Sequence, residues 1–385
     1  MIPYGRQWID DADIQAVVDT LRSDWLTQGP AVGKLEAAFA ALCRVPHAVA
    51  VNSATSALHI ACLAIGAGPG DVVWTVPNTF VASANCARLC GADVDFVDID
   101  PRTYNISIPA LAQKLREAKA AGRLPKAVIP VHFSGRAPDQ EAIWSLAKDY
   151  GFRVIEDASH SVGATHGGEP IGSCRWSDIA VFSFHPVKIV TTAEGGLATT
   201  RDPALAERLA LLRTHGVTKE EHLLTNKTEG GWYYEQVALG LNYRLTDLQA
   251  ALGLSQLRRL EQFLHRRREL VARYDRLLAE VPVTRPLVDL IDESAWHLYV
   301  IRIEPSQAGK TRRQVYDAMR AAGIGVQVHY IPVHLQPYYR ALGFKPGHCP
   351  EAERYSEEAL SLPLYPALSD REQERVVAAL RTAMR

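Results

Sequence analysis

The stretch VIEDASH, residues 154–160, says most about the fold of this 385-residue chain. Its apolar start, Val154-Ile155, predicts a short buried strand, and Asp157 follows at the C-terminal end of that strand. Open α/β sheets bind their ligands at the carboxyl ends of their strands, so Asp157 would place a carboxylate where a ligand binds. Most aspartates at strand ends cap surface helices instead, and Asp157 alone therefore leaves both interpretations open.

The sequence on both sides of this stretch repeats one pattern, in which short apolar runs alternate with amphipathic helical runs. Such strands are typical of a parallel sheet that helices cover on both faces. Strands are predicted at residues 48–51, 72–76, 93–97, 127–131, 153–155, 179–182 and 196–199. After residue 200, the periodicity predicts helices at 204–213, 246–278 and 312–322, strands at 298–303 and 326–330, a loop at 218–234 and a closing helix from residue 370. We expect a large domain over residues 1–250 and a small C-terminal α/β domain over residues 251–385.

The composition is that of an ordinary globular protein. The formal net charge is −1, so no overall electrostatic field favours nucleic acid or an anionic membrane as a partner. We find no signal-peptide pattern and no run of about 20 apolar residues, and we expect a cytoplasmic protein that does not span a membrane. The six cysteines are scattered without a CxxC pair, so we expect reduced thiols and no metal site.

A second informative stretch is VFSFHPVK, residues 181–188, followed by TTAEGG at residues 191–196. An apolar strand leads to Ser183, and Lys188 lies among apolar neighbours, where desolvation would lower the pKa of its amine. A lysine that forms a Schiff base must be uncharged part of the time, and these surroundings suit that chemistry. A lysine at a strand end that extends its amine into solvent would give the same pattern.

The third stretch is NSATSA, residues 52–57, at a predicted helix start. Free backbone N–H groups and hydroxyls at a helix N-terminus bind anions such as phosphate, although serine and threonine are also ordinary helix caps. The three stretches together match pyridoxal 5′-phosphate (PLP), which needs a lysine for its aldehyde, a carboxylate for its ring nitrogen and a phosphate site. The sequence contains no Walker A motif and no strand-borne GxGxxG for ATP or NAD.

At this point the sequence resembles a known family, the DegT/DnrJ/StrS sugar aminotransferases, over essentially its whole length. The stretches that carry the resemblance are LTQGP (26–30), NSATSAL (52–58), EDA (156–158), SFHPVK (183–188), EGG (194–196), NYR (242–244) and VHY (328–330). The resemblance implies a PLP-dependent enzyme of the aspartate aminotransferase-like fold type I. That fold has a large, mostly parallel seven-stranded sheet domain and a smaller C-terminal α/β domain.

Within the family, the sequence is most similar to the branch that serves pseudaminic acid biosynthesis. The stretches PNTFVASAN (77–85), EDASH (156–160) and VHYIPV (328–333) suggest this branch. It implies transfer of the amino group of L-glutamate to the C4 ketone of a UDP-4-keto-6-deoxy-N-acetylhexosamine, UDP-2-acetamido-2,6-dideoxy-β-L-arabino-hex-4-ulose. The alternatives are the same reaction on another nucleotide-linked keto sugar, with dTDP or a C3 ketone, and a non-catalytic regulatory protein of the same fold.

The resemblance also implies roles for individual residues. Lys188 would form the Schiff base with PLP and move protons, and Asp157 would pair with the ring nitrogen. The other implied cofactor contacts are Phe80 on the ring face, His160 near the 3′-hydroxyl, and Ala54, Thr55 and Ser183 at the phosphate. Asn242 would reach the phosphate of the neighbouring subunit's cofactor, which implies a homodimer with shared active sites.

Contacts to the substrates are implied for a further set of residues. For the sugar nucleotide they are Tyr4, Gln28, His185, His329 and Tyr330, and for the donor carboxylate Arg244. Two of these have ordinary alternatives, since His329 would also fit as a hydrogen-bonded core residue and Arg244 as a residue needed for folding. The aromatic run at residues 232–234 suits either stacking on a sugar or contacts within a dimer.

Overall fold

The computed structural model describes residues 1–226 and 230–385 of the chain. Its helices are α1 (Asp11–Leu21), α2 (Pro30–Cys43), α3 (Ala54–Ala64), α4 (Ala82–Leu89), α5 (Ile108–Ala120), α6 (Gln140–Tyr150), α7 (Pro203–Leu212), α8 (Asp247–Leu257), α9 (Leu260–Leu277), α10 (Pro305–Ala308), α11 (Arg312–Ala321), α12 (Pro337–Ala341), α13 (Pro350–Glu358) and α14 (Asp370–Ala383). Its strands are β1 (His47–Val51), β2 (Val72–Thr75), β3 (Asp93–Phe96), β4 (Ala127–Ile129), β5 (Arg153–Asp157), β6 (Thr165–His166), β7 (Glu169–Pro170), β8 (Ile179–Ser183), β9 (Gly196–Thr200), β10 (Val217–Thr218), β11 (Glu235–Gln236), β12 (Tyr299–Arg302) and β13 (Ala359–Leu362). Part of the predicted 218–234 loop, residues 227–229, lies outside the described residues.

Seven strands form the main sheet, in the order β1-β9-β8-β5-β4-β2-β3. Strand β9 runs antiparallel to both of its neighbours, and the other four pairs are parallel. The predicted seven-stranded, mostly parallel sheet is therefore confirmed. Among the described helices, none combines the length and the apolar character that a membrane crossing needs.

The topology brings the three informative stretches to one edge of this sheet. Strands β5 and β8 are parallel neighbours, so Asp157 and Ser183 both lie at their carboxyl ends. Strand β9 runs the other way, and its first residue, Gly196, pairs with Ser183 on one side and with Val51 on the other. Helix α3 begins three residues after Val51, so its N-terminus lies at the same edge as Asp157.

The apolar core falls into three groups of buried side chains. One covers the main sheet with α3 and α4, and a second packs α2 and α8 against the sheet. A third group lies in the C-terminal part, around β12, β13, α11 and α14. Helix α9 contributes to two groups, because Leu260 and Leu264 pack with α2 while Leu270 packs with β12. The division at residue 250 stays a prediction.

The structure corrects two predictions. The pattern at residues 246–278 is two helices, because the helical hydrogen bonding is interrupted between α8 and α9, where the N–H groups of Arg258 and Arg259 donate to carbonyls only three residues back. The strand predicted at 326–330 is absent, and only Gln327 forms an isolated bridge, with Ser361. The Tyr330 N–H donates to a side chain, the Asn78 amide oxygen at 3.2 Å, rather than to a neighbouring strand.

Candidate active site

A cavity of about 620 Å³ opens at the carboxyl edge of the main sheet. It brings together residues that lie as far apart in the sequence as Tyr4 and Tyr330. Eleven residues predicted from the sequence line it: Tyr4, Ala54, Thr55, Phe80, Asp157, His160, Ser183, His185, Lys188, His329 and Tyr330. The side chain of Phe80 is 60% exposed, so its ring is free to contact a ligand.

The N-terminus of α3 forms a cradle for an anion. Ser53 caps the helix by accepting a hydrogen bond from the Ser56 N–H at 3.1 Å. Within the part of the chain that the structure describes, the N–H groups of Ala54 and Thr55 have no hydrogen-bond partner, and both residues line the cavity. A Cβ at Gly196 would lie 2.4 Å from the Ala54 nitrogen, so glycine lets the helix N-terminus approach the sheet. Free N–H groups and the helix dipole at this position suit a phosphate.

Lys188 follows β8 and is partly buried in the cavity wall. Burial lowers the pKa of its amine to about 8, although the negative charge of Asp157 partly opposes this shift. Desolvation, which the apolar neighbours in the sequence led us to expect, is the main cause of this shift. An amine with such a pKa is partly uncharged near neutral pH, as Schiff-base formation requires.

Asp157 is held from two sides, and one contact was not anticipated from the sequence. Its Oδ1 atom accepts from the Ser159 N–H at 3.2 Å, and its Oδ2 atom accepts from the Ser83 hydroxyl at 2.5 Å. Ser83 lies in the first turn of α4, three residues after Phe80. Its place one helical turn after an aromatic cavity residue is the only sequence signal that could have identified it.

His160 lies in a network that determines its tautomer. The Ser134 N–H donates to Nδ1 at 3.3 Å, so the proton of the neutral ring is on Nε2, which lies 3.3 Å from the Tyr330 hydroxyl. Burial and then the charge of Lys188 hold the pKa of His160 well below its usual value. Nδ1 of His329 is hydrogen-bonded to the Ser361 hydroxyl at 2.8 Å, and burial, followed by the charge of Lys188, lowers the pKa of His329 to about 3. Both rings are therefore neutral hydrogen-bonding groups near neutral pH.

His297 is a second cavity residue that sequence reasoning missed. Its side chain is buried, and its ring centroid lies 4.3 Å from that of His160. Its backbone is fixed on both sides, because its N–H donates to the Ser134 carbonyl at 2.8 Å and its carbonyl accepts from Arg267 at 3.3 Å. The sequence around it, Trp296-His297-Leu298, has the pattern of ordinary core, so no local signal indicates a site.

Three predicted residues, Gln28, Asn242 and Arg244, do not line the cavity of the described chain. Asn242 is exposed, and its carbonyl accepts from the Asn52 side chain at 3.4 Å. Gln28 and Arg244 flank an isolated bridge between Thr27 and Thr246, so the two segments are adjacent. The contact predicted for Asn242 belongs to a second subunit, and it stays a prediction. Trp232 and Tyr234 are exposed outside the cavity, and the role of their segment also stays open.

The cavity fits PLP by the chemistry of its groups. It has an anion cradle at one side, a buried carboxylate for a protonated ring nitrogen, and an amine with a lowered pKa for an aldehyde. Phe80 offers a ring face, and His160 offers an N–H to an oxygen on the ring. A ligand with a phosphate, a basic ring nitrogen and an aldehyde would use each of these groups.

Comparison with known proteins identifies the family of the chain. Residues 7–381 match the DegT/DnrJ/EryC1/StrS aminotransferase family. The chain is 42% identical over 383 residues to the spore coat polysaccharide biosynthesis protein SpsC of Bacillus subtilis, covering 99% of this chain and 96% of that one.

Among solved structures it is similar to PseC of Helicobacter pylori, an aminotransferase involved in the biosynthesis of pseudoaminic acid. That structure has a TM-score of 0.90 and 30% identity, covering 100% of this chain and 99% of the other. The putative sugar aminotransferase Spr1654 of Streptococcus pneumoniae, in its PMP form, has a TM-score of 0.90 and 32% identity with the same coverage.

Proposed function

The chain belongs to the DegT/DnrJ/EryC1/StrS aminotransferase family, and from this premise we propose that it transfers the amino group of L-glutamate to the C4 ketone of a UDP-4-keto-6-deoxy-N-acetylhexosamine. It is a sugar aminotransferase that uses PLP. The main support for the proposal is that Lys188, Asp157 and the α3 N-terminus line the same cavity. The choice of a UDP-linked substrate of pseudaminic acid biosynthesis is supported by the likeness to PseC and by the stretches at 77–85, 156–160 and 328–333.

We propose separate roles in the reaction for two residues of the cavity, Asp157 and Lys188. When bound, PLP supplies an electron-withdrawing ring that accepts electrons as a proton leaves the donor carbon. The Asp157 carboxylate would hold a proton on the ring nitrogen. The uncharged amine of Lys188 would take the proton from the donor's Cα and return one to C4 of the sugar, a positioned acid–base role worth roughly 10²–10⁴-fold. The pKa of Lys188, lowered to about 8, suits both directions of this transfer.

We propose that the sugar nucleotide enters between the histidines and the N-terminal segment. Tyr4, His185, His329 and Tyr330 line this side of the cavity, and the neutral ring of His329 can donate to or accept from sugar oxygens without the cost of burying a charge. The cavity volume of about 620 Å³ is in the range of small-molecule sites.

We propose a homodimer with shared active sites. Gln28, Asn242 and Arg244 lie outside the cavity of their own chain, as they would if they completed the site of a partner. We also propose the cytoplasm as the compartment, because all six cysteines are free in the structure and cytosolic thiols are kept reduced.

The first test is an absorbance spectrum of the purified enzyme with PLP, before and after L-glutamate, followed by a panel of UDP- and dTDP-linked keto sugars. We expect glutamate to remove the visible absorbance of the PLP-loaded enzyme, and only a UDP-4-keto-N-acetyl sugar to restore it. Lys188→Ala should lose the absorbance and all turnover, whereas Lys34→Ala, which changes an exposed lysine of α2, should keep both. If only a dTDP-linked sugar restores the visible absorbance, the enzyme class stands and the proposed UDP-linked substrate is wrong. Visible absorbance that survives in Lys188→Ala would reject Lys188 as the Schiff-base lysine.

A further inference from the structure

A chain of three buried side chains ends on the carboxylate of Asp157. The hydroxyls of Thr79 and Ser83 lie 2.8 Å apart, and the Ser83 hydroxyl lies 2.5 Å from Asp157 Oδ2. All three side chains are buried, with Ser83 at 0% exposure and Asp157 at 5%. Hydrogen bonds in such surroundings are not weakened by exchange with water, so they fix the atoms that they join.

The chemistry of the three groups determines the direction of the chain. An ionised carboxylate only accepts hydrogen bonds, so the single hydroxyl proton of Ser83 is donated to Asp157. The Ser83 oxygen is then left to accept the proton of the Thr79 hydroxyl. A hydrogen bond to an ionised acceptor is shorter and stronger than one between neutral groups, in agreement with the 2.5 Å distance.

Ser83 also connects the carboxylate to the aromatic side of the cavity. The backbone N–H of Ser83 donates to the carbonyl of Phe80 at 3.3 Å, within the turn that begins α4. Phe80 lines the cavity, and the same turn therefore carries the ring that faces the ligand and the hydroxyl that holds the carboxylate. This turn therefore links the Asp157 carboxylate, at the end of β5, to the position of the Phe80 ring.

We propose that Ser83 is a positioning residue that holds Asp157 Oδ2 in place, so that the carboxylate faces the ring nitrogen of PLP. Oδ1 is held separately by the Ser159 N–H at 3.2 Å, and the two contacts together restrict rotation of the carboxylate. Thr79 donates to the Ser83 hydroxyl and so orients it, and Thr79 itself lines the cavity. This inference rests on the proposed pairing of Asp157 with PLP, and it adds the means by which this chain holds Asp157.

The test compares Ser83→Ala with a matched control, Ser161→Ala. Ser161 is also a serine at 0% exposure, but its hydroxyl has no hydrogen-bond partner among the described residues, and it does not line the cavity. Two properties would be measured on each full-length variant: the dissociation constant for PLP, and the pH midpoint of the visible absorbance of the PLP-loaded enzyme. Asp157→Asn serves as the reference for complete loss of the pairing.

We expect Ser83→Ala to raise the dissociation constant for PLP about tenfold and to move the pH midpoint in the same direction as Asp157→Asn, by a smaller amount. Ser161→Ala should change neither property. Thr79→Val nearly conserves the side-chain volume but removes the donor to Ser83 and a hydroxyl from the cavity wall. It should shift the pH midpoint in the same direction as Ser83→Ala, by a smaller amount. If Ser83→Ala does not fold, Thr79→Val gives the deciding result.

The outcomes separate this inference from the proposed function on which it rests. If Asp157→Asn shifts both properties while neither Ser83→Ala nor Thr79→Val does, Ser83 has no positioning role. A fall in the melting temperature of Ser83→Ala with no change in the pH midpoint would likewise assign Ser83 a structural role only. If Asp157→Asn itself changes neither property, the proposed pairing of Asp157 with the cofactor is wrong, and the role of Ser83 falls with it.

Discussion

At the scale of single residues, burial in the cavity lowers the pKa values of basic side chains. The amine of Lys188 has a pKa lowered to about 8, and the rings of His160, His297 and His329 stay neutral because burial penalises their charged forms. Neutral imidazoles next to a lysine avoid repulsion when that amine is protonated. The cavity can therefore hold an amine that gains and loses a proton without changing the charge of its neighbours.

The pKa of Lys188 predicts how PLP binding depends on pH. Only the uncharged amine attacks an aldehyde, and its fraction rises about tenfold per pH unit below the pKa and levels off above it. We expect the rate at which the PLP-free enzyme forms the visible absorbance to rise up to about pH 8 and then to stay nearly constant. Stopped-flow mixing with PLP across pH 6–10.5 measures this rate. A rate that still rises between pH 9 and 10.5 would mean that burial does not lower the pKa of this lysine.

The site depends on the close approach of strand β9 to the start of helix α3. Strand β9 begins with Gly196, which pairs with both β1 and β8 and touches the start of α3. A side chain at this position would separate the helix N-terminus from the sheet edge. The anion cradle depends on this contact, because the free N–H groups face the cavity only while α3 stays close to the sheet.

We therefore expect Gly196→Ala to weaken PLP binding and to destabilise the protein by about 1–3 kcal/mol, since the new Cβ would lie 2.4 Å from the Ala54 nitrogen. The matched control is Gly33→Ala in the exposed part of α2, where a Cβ meets no atom within 4 Å. That change should stabilise the protein by about 0.5–1 kcal/mol, because alanine is the better helix residue. Urea unfolding and PLP titration of both variants measure the difference. Equal stability of the two variants would show that β9 and α3 can separate at no cost.

Over the whole molecule, the features that could be predicted from the sequence are those that depend on a local sequence pattern. The strand series and the motifs of Asp157 and Lys188 follow from short stretches in which strand, turn and functional residue are contiguous. Ser83 and His297 were missed because their contacts join segments far apart in the chain, and no spacing along the sequence carries that information. The break between α8 and α9 was missed because the helical pattern of the sequence continues across Arg258 and Arg259, where the backbone makes a tight turn.

A buried arginine makes the same kind of long-range connection within the C-terminal part of the chain. Arg267, on α9, is 1% exposed, and its Nη1 atom donates to the carbonyls of Trp296, His297 and Leu364 at 3.1, 3.3 and 3.1 Å. Burial lowers the pKa of its guanidinium to about 9, and no nearby carboxylate opposes this shift among the described residues. The hydrogen-bond acceptors of this side chain are therefore backbone carbonyls, through which it joins α9 to two segments of the C-terminal part.

Replacing Arg267 by methionine would keep most of the side-chain volume and leave three buried carbonyls without a donor. We expect the free energy of unfolding to fall by about 2–4 kcal/mol. Arg276→Met, which changes an exposed arginine of the same helix, should stay within about 0.5 kcal/mol of the parent. Because one of the three carbonyls belongs to His297, Arg267→Met should also lower turnover of enzyme that is still folded. Urea unfolding, with activity measured well below the transition, separates the two effects. Unchanged stability in Arg267→Met would mean that packing of α9, rather than this arginine, connects the segment of His297 to the helix.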